Sequence, residues 1–353
     1  MDTQVLAPVQ PPQREHRFSF TGTGAEYFRI WIVNLVLTIL TLGIFSAWAK
    51  VRRLQYFYRN THLADSSFDY HGSPIAILKG RIIGFVLFAA YSVAAQISPL
   101  LWLCVLLLIG GIMPYLLATS FRFRFYNSSY RGLRFGFSGS VKGAYGVFLG
   151  LPIATLFTAY LLAPFTHHRI KAYQHNNTRF GQASFGFTAT EGSFYRAYIF
   201  AFLQFLGLMI LLGVGAYLVS KGKIAHLHGE NKILAFVLGA YALMILSMLL
   251  VLPYFISRIQ NLIWNGTHIG GNRFSSTMTA KGLAWILVGN FVLTIVTLGF
   301  YKPFAAVRLA RYHLQNMALL PTGDMNEFIA GEQQQAGAAG METAAFFDID
   351  VGF

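Results

Sequence analysis

Arginine and asparagine recur at matched places along this chain, and their pairing is the first chemistry it offers. A proline followed by an aromatic residue (Pro164-Phe165, Pro253-Tyr254, Pro303-Phe304), or Ala47-Trp48 in its stead, precedes an arginine five residues on: Arg169, Arg258, Arg308 and Arg52. Another copy, Pro114-Tyr115, has Thr119 at that place and bears Arg122 and Arg124 instead. Further along each copy comes an asparagine, at Asn60, Asn127, Asn176, Asn265 and Asn316, usually with Ser or Thr close behind. A guanidinium presents a fork of donors that fits phosphate or carboxylate; it is also the group that snorkels where an apolar span meets headgroups. A second polar set lies within apolar runs. Asn34, Thr38 and Thr41 follow one helix face, and Asn290, Thr294 and Thr297 repeat it. Such stripes either line a pathway or hydrogen-bond neighbouring helices, and the second is the simpler reading.

Other reactive constellations are missing. His167, His168 and His175 have no carboxylate or cysteine near them in sequence, so no metal site is expected. Thr21-Gly22-Thr23-Gly24 lacks the third glycine of a dinucleotide fingerprint, and there is neither a phosphate loop nor a nucleophile elbow. No cofactor and no enzymatic activity are expected. None of the 13 carboxylates lies mid-span, which disfavours an ion-driven pump. Cys104, the one cysteine, sits in an apolar run and reads as packing.

The elements that hold these residues are membrane elements. Of 353 residues, 55% are hydrophobic and 11% charged, with a mean hydropathy of +0.51, far from the roughly 25% charge of a soluble domain. The same numbers exclude disorder. The net charge is +14, and because six acids and no Lys or Arg follow Gly323, residues 1–323 carry +20. Charge scattered between apolar spans fits anionic lipid headgroups better than nucleic acid, and no nucleic-acid partner is expected. Met1 to His16 has no apolar core of a signal peptide, so the first span is expected to drive insertion.

Seven runs approach the length needed to cross a bilayer: Tyr27–Trp48, Gly80–Ile97, Leu100–Ser120, Ala144–Phe165, Tyr195–Val219, Ile233–Ile256 and Leu283–Tyr301. Asn34–Asn60 aligns without gaps to Asn290–Asn316. A shorter unit recurs five times, as one or two spans, a basic segment ending at asparagine, and a hairpin pattern with a phenylalanine: Phe68-Asp69-Tyr70, Phe135-Gly136-Phe137, Phe185-Gly186-Phe187 and Phe274-Ser275-Ser276, with Phe18-Ser19-Phe20 ahead of the first span. Seven crossings put Asn60 and Asn127 on one face and Asn176 and Asn265 on the other, an inverted repeat. If all the hairpins instead pair into one sheet, the odd units are re-entrant and fewer spans remain. Positive-inside counting prefers the first arrangement, with Asn60, Asn127, the loop after Ser220 and the C-terminus in the cytoplasm.

Asn34-Leu-Val-Leu-Thr-Ile-Leu-Thr-Leu-Gly-Ile-Phe45, followed by Trp48-Ala-Lys-Val-Arg52, Tyr56 and Asn60-Thr61, resembles the YjgN family of bacterial inner-membrane proteins, and Thr297-Leu-Gly-Phe300 repeats its most specific string. The resemblance spans about residues 18–318. It implies a multi-pass protein of the bacterial cytoplasmic membrane and no reaction, substrate or catalytic residue.

The expected architecture is an all-α integral membrane protein of about seven transmembrane helices, in a range of six to eight, forming a pseudo-repeated bundle with short surface β-hairpins. A polar segment (1–17) precedes the membrane domain (18–320), and an acidic tail (321–353) follows. Phe347-Asp-Ile-Asp-Val-Gly-Phe353 alternates at strand period and is expected either to add a strand to a basic hairpin or to stay disordered. Two functional readings follow: transport or channel-like passage of a small solute or lipid, and a non-transporting scaffold or lipid-interacting protein.

Overall fold

The computed structural model describes residues 15–221 and 230–335. Helices alternate with short strand pairs. β1 (His16–Arg17) and β2 (Ser19–Phe20) lead to α1 (Gly24–Leu40) and α2 (Ser46–Arg59). β3 (Thr61–Leu63) and β4 (Ser66–Tyr70) lead to α3 (Pro74–Ile97) and α4 (Pro99–Tyr126). β5 (Ser128–Tyr130) and β6 (Leu133–Phe137) lead to α5 (Val141–Tyr145), a π-helical turn (Gly146–Gly150), α6 (Leu151–Phe157) and α7 (Ala163–Asn176). β7 (Thr178–Phe180) and β8 (Ala183–Phe187) lead to α8 (Glu191–Ser220) and α9 (Glu230–Asn265). β9 (Thr267–Ile269) and β10 (Asn272–Ser276) lead to α10 (Ala280–Val296), α11 (Lys302–Gln315) and β11 (Met317–Leu320). A last helix, α12, covers 325–335.

The strands form one antiparallel sheet in the order β1-β11-β10-β9-β8-β7-β6-β5-β4-β3-β2. Its two ends are halves of one kinked strand. His16 and Arg17 pair with β11, Ser19 and Phe20 pair with β3, and the Phe18 amide donates to the Met317 carbonyl at 3.0 Å. The sheet therefore wraps into a near-closed barrel whose seam is Phe18, which leaves the two ends of the ribbon little free edge. Tight turns with positive φ join the hairpins, as at Ala64-Asp65, Arg131-Gly132 and Gly270-Gly271.

The barrel interior is a packed core. One phenylalanine from each strand pair enters a closed ring: Phe18, Phe68, Phe135, Phe185 and Phe274 follow one another at centroid separations of 6.1–6.4 Å. Opposite them across the ladders lie buried Tyr130, Phe180, Ile269 and Leu319. α12 plugs the end away from the long helices with Met325 and Ile329. Glu332 fastens the plug by accepting from the amides of Gln182 (2.7 Å) and Ala183 (2.9 Å), and Arg131 donates to Asn326 at 2.7 Å.

This architecture overturns the expected all-helical bundle of about seven spans. Among the described residues four helices are long and apolar enough to cross a membrane: Pro74–Ile97, Pro99–Tyr126, Glu191–Leu218 and Ile233–Asn265. The other three apolar runs each break toward their C-terminal end. Left-handed turns at Leu42-Gly43 (φ 50° and 93°), Ala159-Tyr160 (49° and 66°) and Leu298-Gly299 (50° and 94°) fold each run back toward the barrel as a helix pair. Hydropathy reports the length of an apolar run and is blind to a turn inside it. The inverted repeat falls with the same observation, because all the hairpins share one sheet and all the helices that precede them end on one side. Ser220, where α8 ends, accordingly lies at the far end from Asn60 and Asn127, and the loop after it (222–229) lies outside the described residues. Phe347–Phe353 lies outside the described residues.

Candidate functional site

The recurring asparagines build the joint between helix and barrel. A helix end leaves carbonyls without partners, and here side chains meet them. The amides of Asn60, Asn127, Asn177 and Asn316 donate to the carbonyls of Tyr56, Phe123, Tyr173 and Tyr312 at 2.7–2.8 Å. The hydroxyl that begins the next strand does the same one residue on: Thr61, Ser128, Thr178 and Thr267 donate to Phe57, Arg124, Gln174 and Ile263 at 2.7–2.9 Å. Asn177 and Gly266 hold the joint position in their units, each one residue beyond Asn176 and Asn265; Asn265 instead accepts from the Ser276 amide at 2.6 Å. The joint carbonyls of Asn60, Asn127, Asn177, Gly266 and Asn316 accept, at 2.7–3.0 Å, from the residues that leave the preceding strands.

The polar stripes serve the helix pairs. Thr41 and Thr297 each close their turn by donating to the carbonyl four residues back at 2.7 Å and accepting the amide four residues on at 2.9 Å. Thr38 donates to the Asn34 carbonyl at 2.6 Å, and the Thr294 carbonyl accepts from Gly299 at 2.7 Å. Asn290 donates to Ala305 of its partner helix at 3.2 Å. Asn34 and Asn290 are buried, and their side-chain oxygens have no partner among the described residues. At the base of these pairs the hydroxyls of Tyr56, Tyr173 and Tyr312 donate to the carbonyls of Thr23, Ser140 and Thr279 at 2.8–3.0 Å.

The recurring arginines lie on the helices that return to the barrel. Arg52 stands over the Phe45 ring at 5.4 Å, and Arg169 stands over Phe165 at 4.9 Å with Glu191 3.1 Å away. Arg308 packs on Gly289, where a Cβ would come within 2.9 Å of Nη1. Arg258 is exposed, and among the described residues Arg52, Arg258 and Arg308 have no carboxylate within ion-pair distance. Arg29, Arg52 and Arg59 share a groove of about 560 Å³ with Ile30 and Val33, between α1 and α2. Arg59 is held by Asp69 at 2.8 Å, and Arg29 and Arg52 make no ion pair among the described residues.

A second cavity, of about 510 Å³, lies where the helix ends meet the barrel mouth. Phe68, Phe135 and Phe185 of the ring close it on the barrel side. Arg124 of α4 and Lys171, Gln174 and His175 of α7 supply its cationic and polar groups, Thr61, Ser128 and Thr178 add hydroxyls, and the remaining lining is aromatic, including Tyr58 and Trp264. Lys171 is half-buried and 3.4 Å from the Gln174 side-chain oxygen; neither it nor Arg124 has a carboxylate within ion-pair distance among the described residues. Burial, reinforced by the Arg124 charge, pulls the Lys171 ammonium below its usual range. Burial, reinforced by Lys171, lowers His175 to about 4, and its Nδ1 pairs with the Thr267 hydroxyl at 3.0 Å.

Sequence reasoning singles out Arg124 in the Pro114-Tyr115 copy and does not group it with Lys171. Counted from the strand that follows, Lys171 corresponds to Leu54, Phe121, Gln260 and Ala310 in the other units, and Arg124 to Phe57, Gln174, Ile263 and His313. A basic residue in a mainly apolar or neutral column was the available signal. No three His, Cys, Asp or Glu side chains among the described residues are grouped to hold a metal ion.

Residues 15–346 match the family described as "Bacterial protein of unknown function (DUF898)". The chain is similar to inner membrane protein YjgN of Salmonella typhimurium (strain LT2), 24% identical over 351 residues that cover 85% of this chain and 87% of that protein. It is also similar to inner membrane protein YjgN of Escherichia coli O157:H7 and of Escherichia coli K12, at 32% and 33% identity over 42% of this chain and 37% of each of those proteins. No solved structure matches.

Proposed function

This chain belongs to the DUF898 family of bacterial proteins of unknown function, and on that premise we propose that it is a multi-pass inner-membrane protein that binds anionic lipid at the cytoplasmic leaflet and is not a solute carrier. The observation that carries this reading is the form of the three short helix pairs. Each ends in an exposed apolar tip, with Leu42 96%, Leu298 89% and Phe157 85% exposed, while Arg29, Arg52, Arg169 and Arg308 stand nearer the barrel and Lys302 borders the Leu298 tip. α1, with 17 residues, is about 25 Å long, short of the roughly 30 Å of a hydrocarbon core. Arg81, in the second turn of α3, donates to Ser46 at the start of α2, so that tip dips only shallowly beside a long helix. An apolar wedge with flanking cations is the form of an interfacial anchor.

The two long hairpins, α3–α4 and α8–α9, supply four crossings. Nearly all Lys and Arg then lie on the barrel side, which the positive-inside rule assigns to the cytoplasm together with α12 and the C-terminus. The five helix–hairpin units are internal repeats of one element, the fifth completed by the N-terminal strand. The filled barrel supports lipid binding over passage of a solute, since it offers no open lumen. No metal, cofactor or catalytic group enters this reading.

The test is thermal stabilisation of the purified full chain in neutral detergent. Phosphatidylglycerol is expected to raise the melting midpoint more than phosphatidylcholine does, and Arg52→Gln with Arg308→Gln to narrow the difference. Equal effects of the two lipids on the unaltered protein overturn the proposal.

A further inference from the structure

The geometry points to the cavity between helix ends and barrel mouth as a binding site for one phosphate-bearing amphiphile, its phosphate between Arg124 and Lys171 and its apolar body against Tyr58 and Trp264. Two cations face one cavity, and no described carboxylate neutralises either. Lys171 is half-buried and Arg124 is exposed beside it, so their like charges repel, and an anion between them relieves that repulsion. The scaffold does not require it: Leu54, Phe121 and Ala310 occupy the place of Lys171 in other units, and Phe57 and Ile263 that of Arg124. The charge is an addition to one side of a five-unit barrel.

Phosphate suits the donors present. The guanidinium fork of Arg124, the ammonium of Lys171 and the amide of Gln174 together offer more donors than a carboxylate has oxygens. Half of the lining residues are aromatic, which asks for an apolar body on the same ligand. Access favours a lipid. The phenylalanine ring and α12 shut the barrel side, so entry is from the helix side, where the α3–α4 hairpin makes little direct contact with the α8–α9 hairpin among the described residues. This inference adds a specific inner site to the interfacial lipid binding proposed above and does not depend on Arg52 or Arg308.

The experiment uses the full chain in neutral detergent, with the melting midpoint read during titration with short-chain phosphatidylglycerol and, separately, with inorganic phosphate. A saturable rise is expected with the lipid, weakened at least tenfold in apparent affinity by Lys171→Met with Arg124→Gln. Arg179→Gln on the barrel exterior is expected to leave it in place, and the pair Arg52→Gln with Arg308→Gln, although it narrows the difference between lipid classes, to leave the apparent affinity of this saturable component unchanged, so failure here is distinguishable from failure of the interfacial reading. A comparable rise with inorganic phosphate assigns the site to a free phosphate anion; a rise with the amphiphile alone assigns it to a phospholipid. Lys171→Met alone is expected to raise the midpoint of ligand-free protein, which a purely structural lysine would lower, and Lys171→Arg is expected to retain binding. No rise with either ligand, or a rise unchanged in the Lys171 and Arg124 variants, overturns the inference.

Discussion

His167 and His175 lie on α7, and burial, helped by the Lys171 charge, lowers both to about 4 from an ordinary 6.5. Their neighbours are well made for neutral rings: Tyr198 pairs with His167 at 3.0 Å and Thr267 with His175 at 3.0 Å. The unfolded chain takes up protons at these positions near 6.5, whereas the folded chain resists until about 4. Stability is therefore full above 6.5 and falls as pH drops through that window. Thermal midpoints between pH 7.5 and 4.5 should show the decline, and His175→Gln should flatten part of it. Within the barrel, Phe180 is 4% exposed and touches Tyr130 and Phe135. Phe180→Ala is expected to cost about 3–5 kcal/mol in denaturant unfolding. A loss below about 1 kcal/mol would mean that the core can collapse around the gap.

The helix pairs depend on their turns more than on their apolar length. Gly43 and Gly299 adopt φ of 93° and 94°, a conformation that a side chain strains, while nothing lies close enough to obstruct a Cβ at Gly43. Gly43→Ala is therefore a test of backbone strain alone. It is expected to cost about 1–2 kcal/mol, read as a lowered melting midpoint. α12 is held differently, by two amides on one Glu332 oxygen and by two apolar residues in the barrel end. Glu332→Ala removes charge-assisted bonds and should cost about 2 kcal/mol, with faster proteolysis after residue 323 as the accompanying readout. Gly181 would resist substitution for the same reason, because a Cβ there meets the Glu332 oxygen at 2.7 Å.

At the scale of the whole molecule, the closed sheet sets the topology. Asp65 and Gln182 lie in the turns of different hairpins of one barrel and must share a side, whatever the number of crossings between them. With Cys104→Ala as background, cysteines placed at Asp65 and at Gln182 are expected to react with a membrane-impermeant maleimide only after the inner membrane is permeabilised. Labelling of one and protection of the other would break the barrel. Seven crossings fail for a related reason: an odd number of spans between hairpins would separate strands that the ladders join.

Much of this was legible in the residues themselves. Low charge and long apolar runs determined a membrane setting, because so few ionised groups cannot keep such a surface wet. The spacing of Phe18, Phe68, Phe135, Phe185 and Phe274 and of the asparagine joints was visible as a pattern, since each unit is local in sequence. Turn residues such as Thr41 and Gly43 were also present, but hydropathy averages over them. What only the tertiary structure decided is long-range. Residues 16–20 pair with β3 on one side and with β11, some 300 residues away, on the other, and that closure depends on ladder bonds that no local pattern encodes. It makes a core of five phenylalanines from four hairpins and the N-terminal strand, turns three expected crossings into returning helix pairs, and brings Arg124 of one unit and Lys171 of the next to a single cavity.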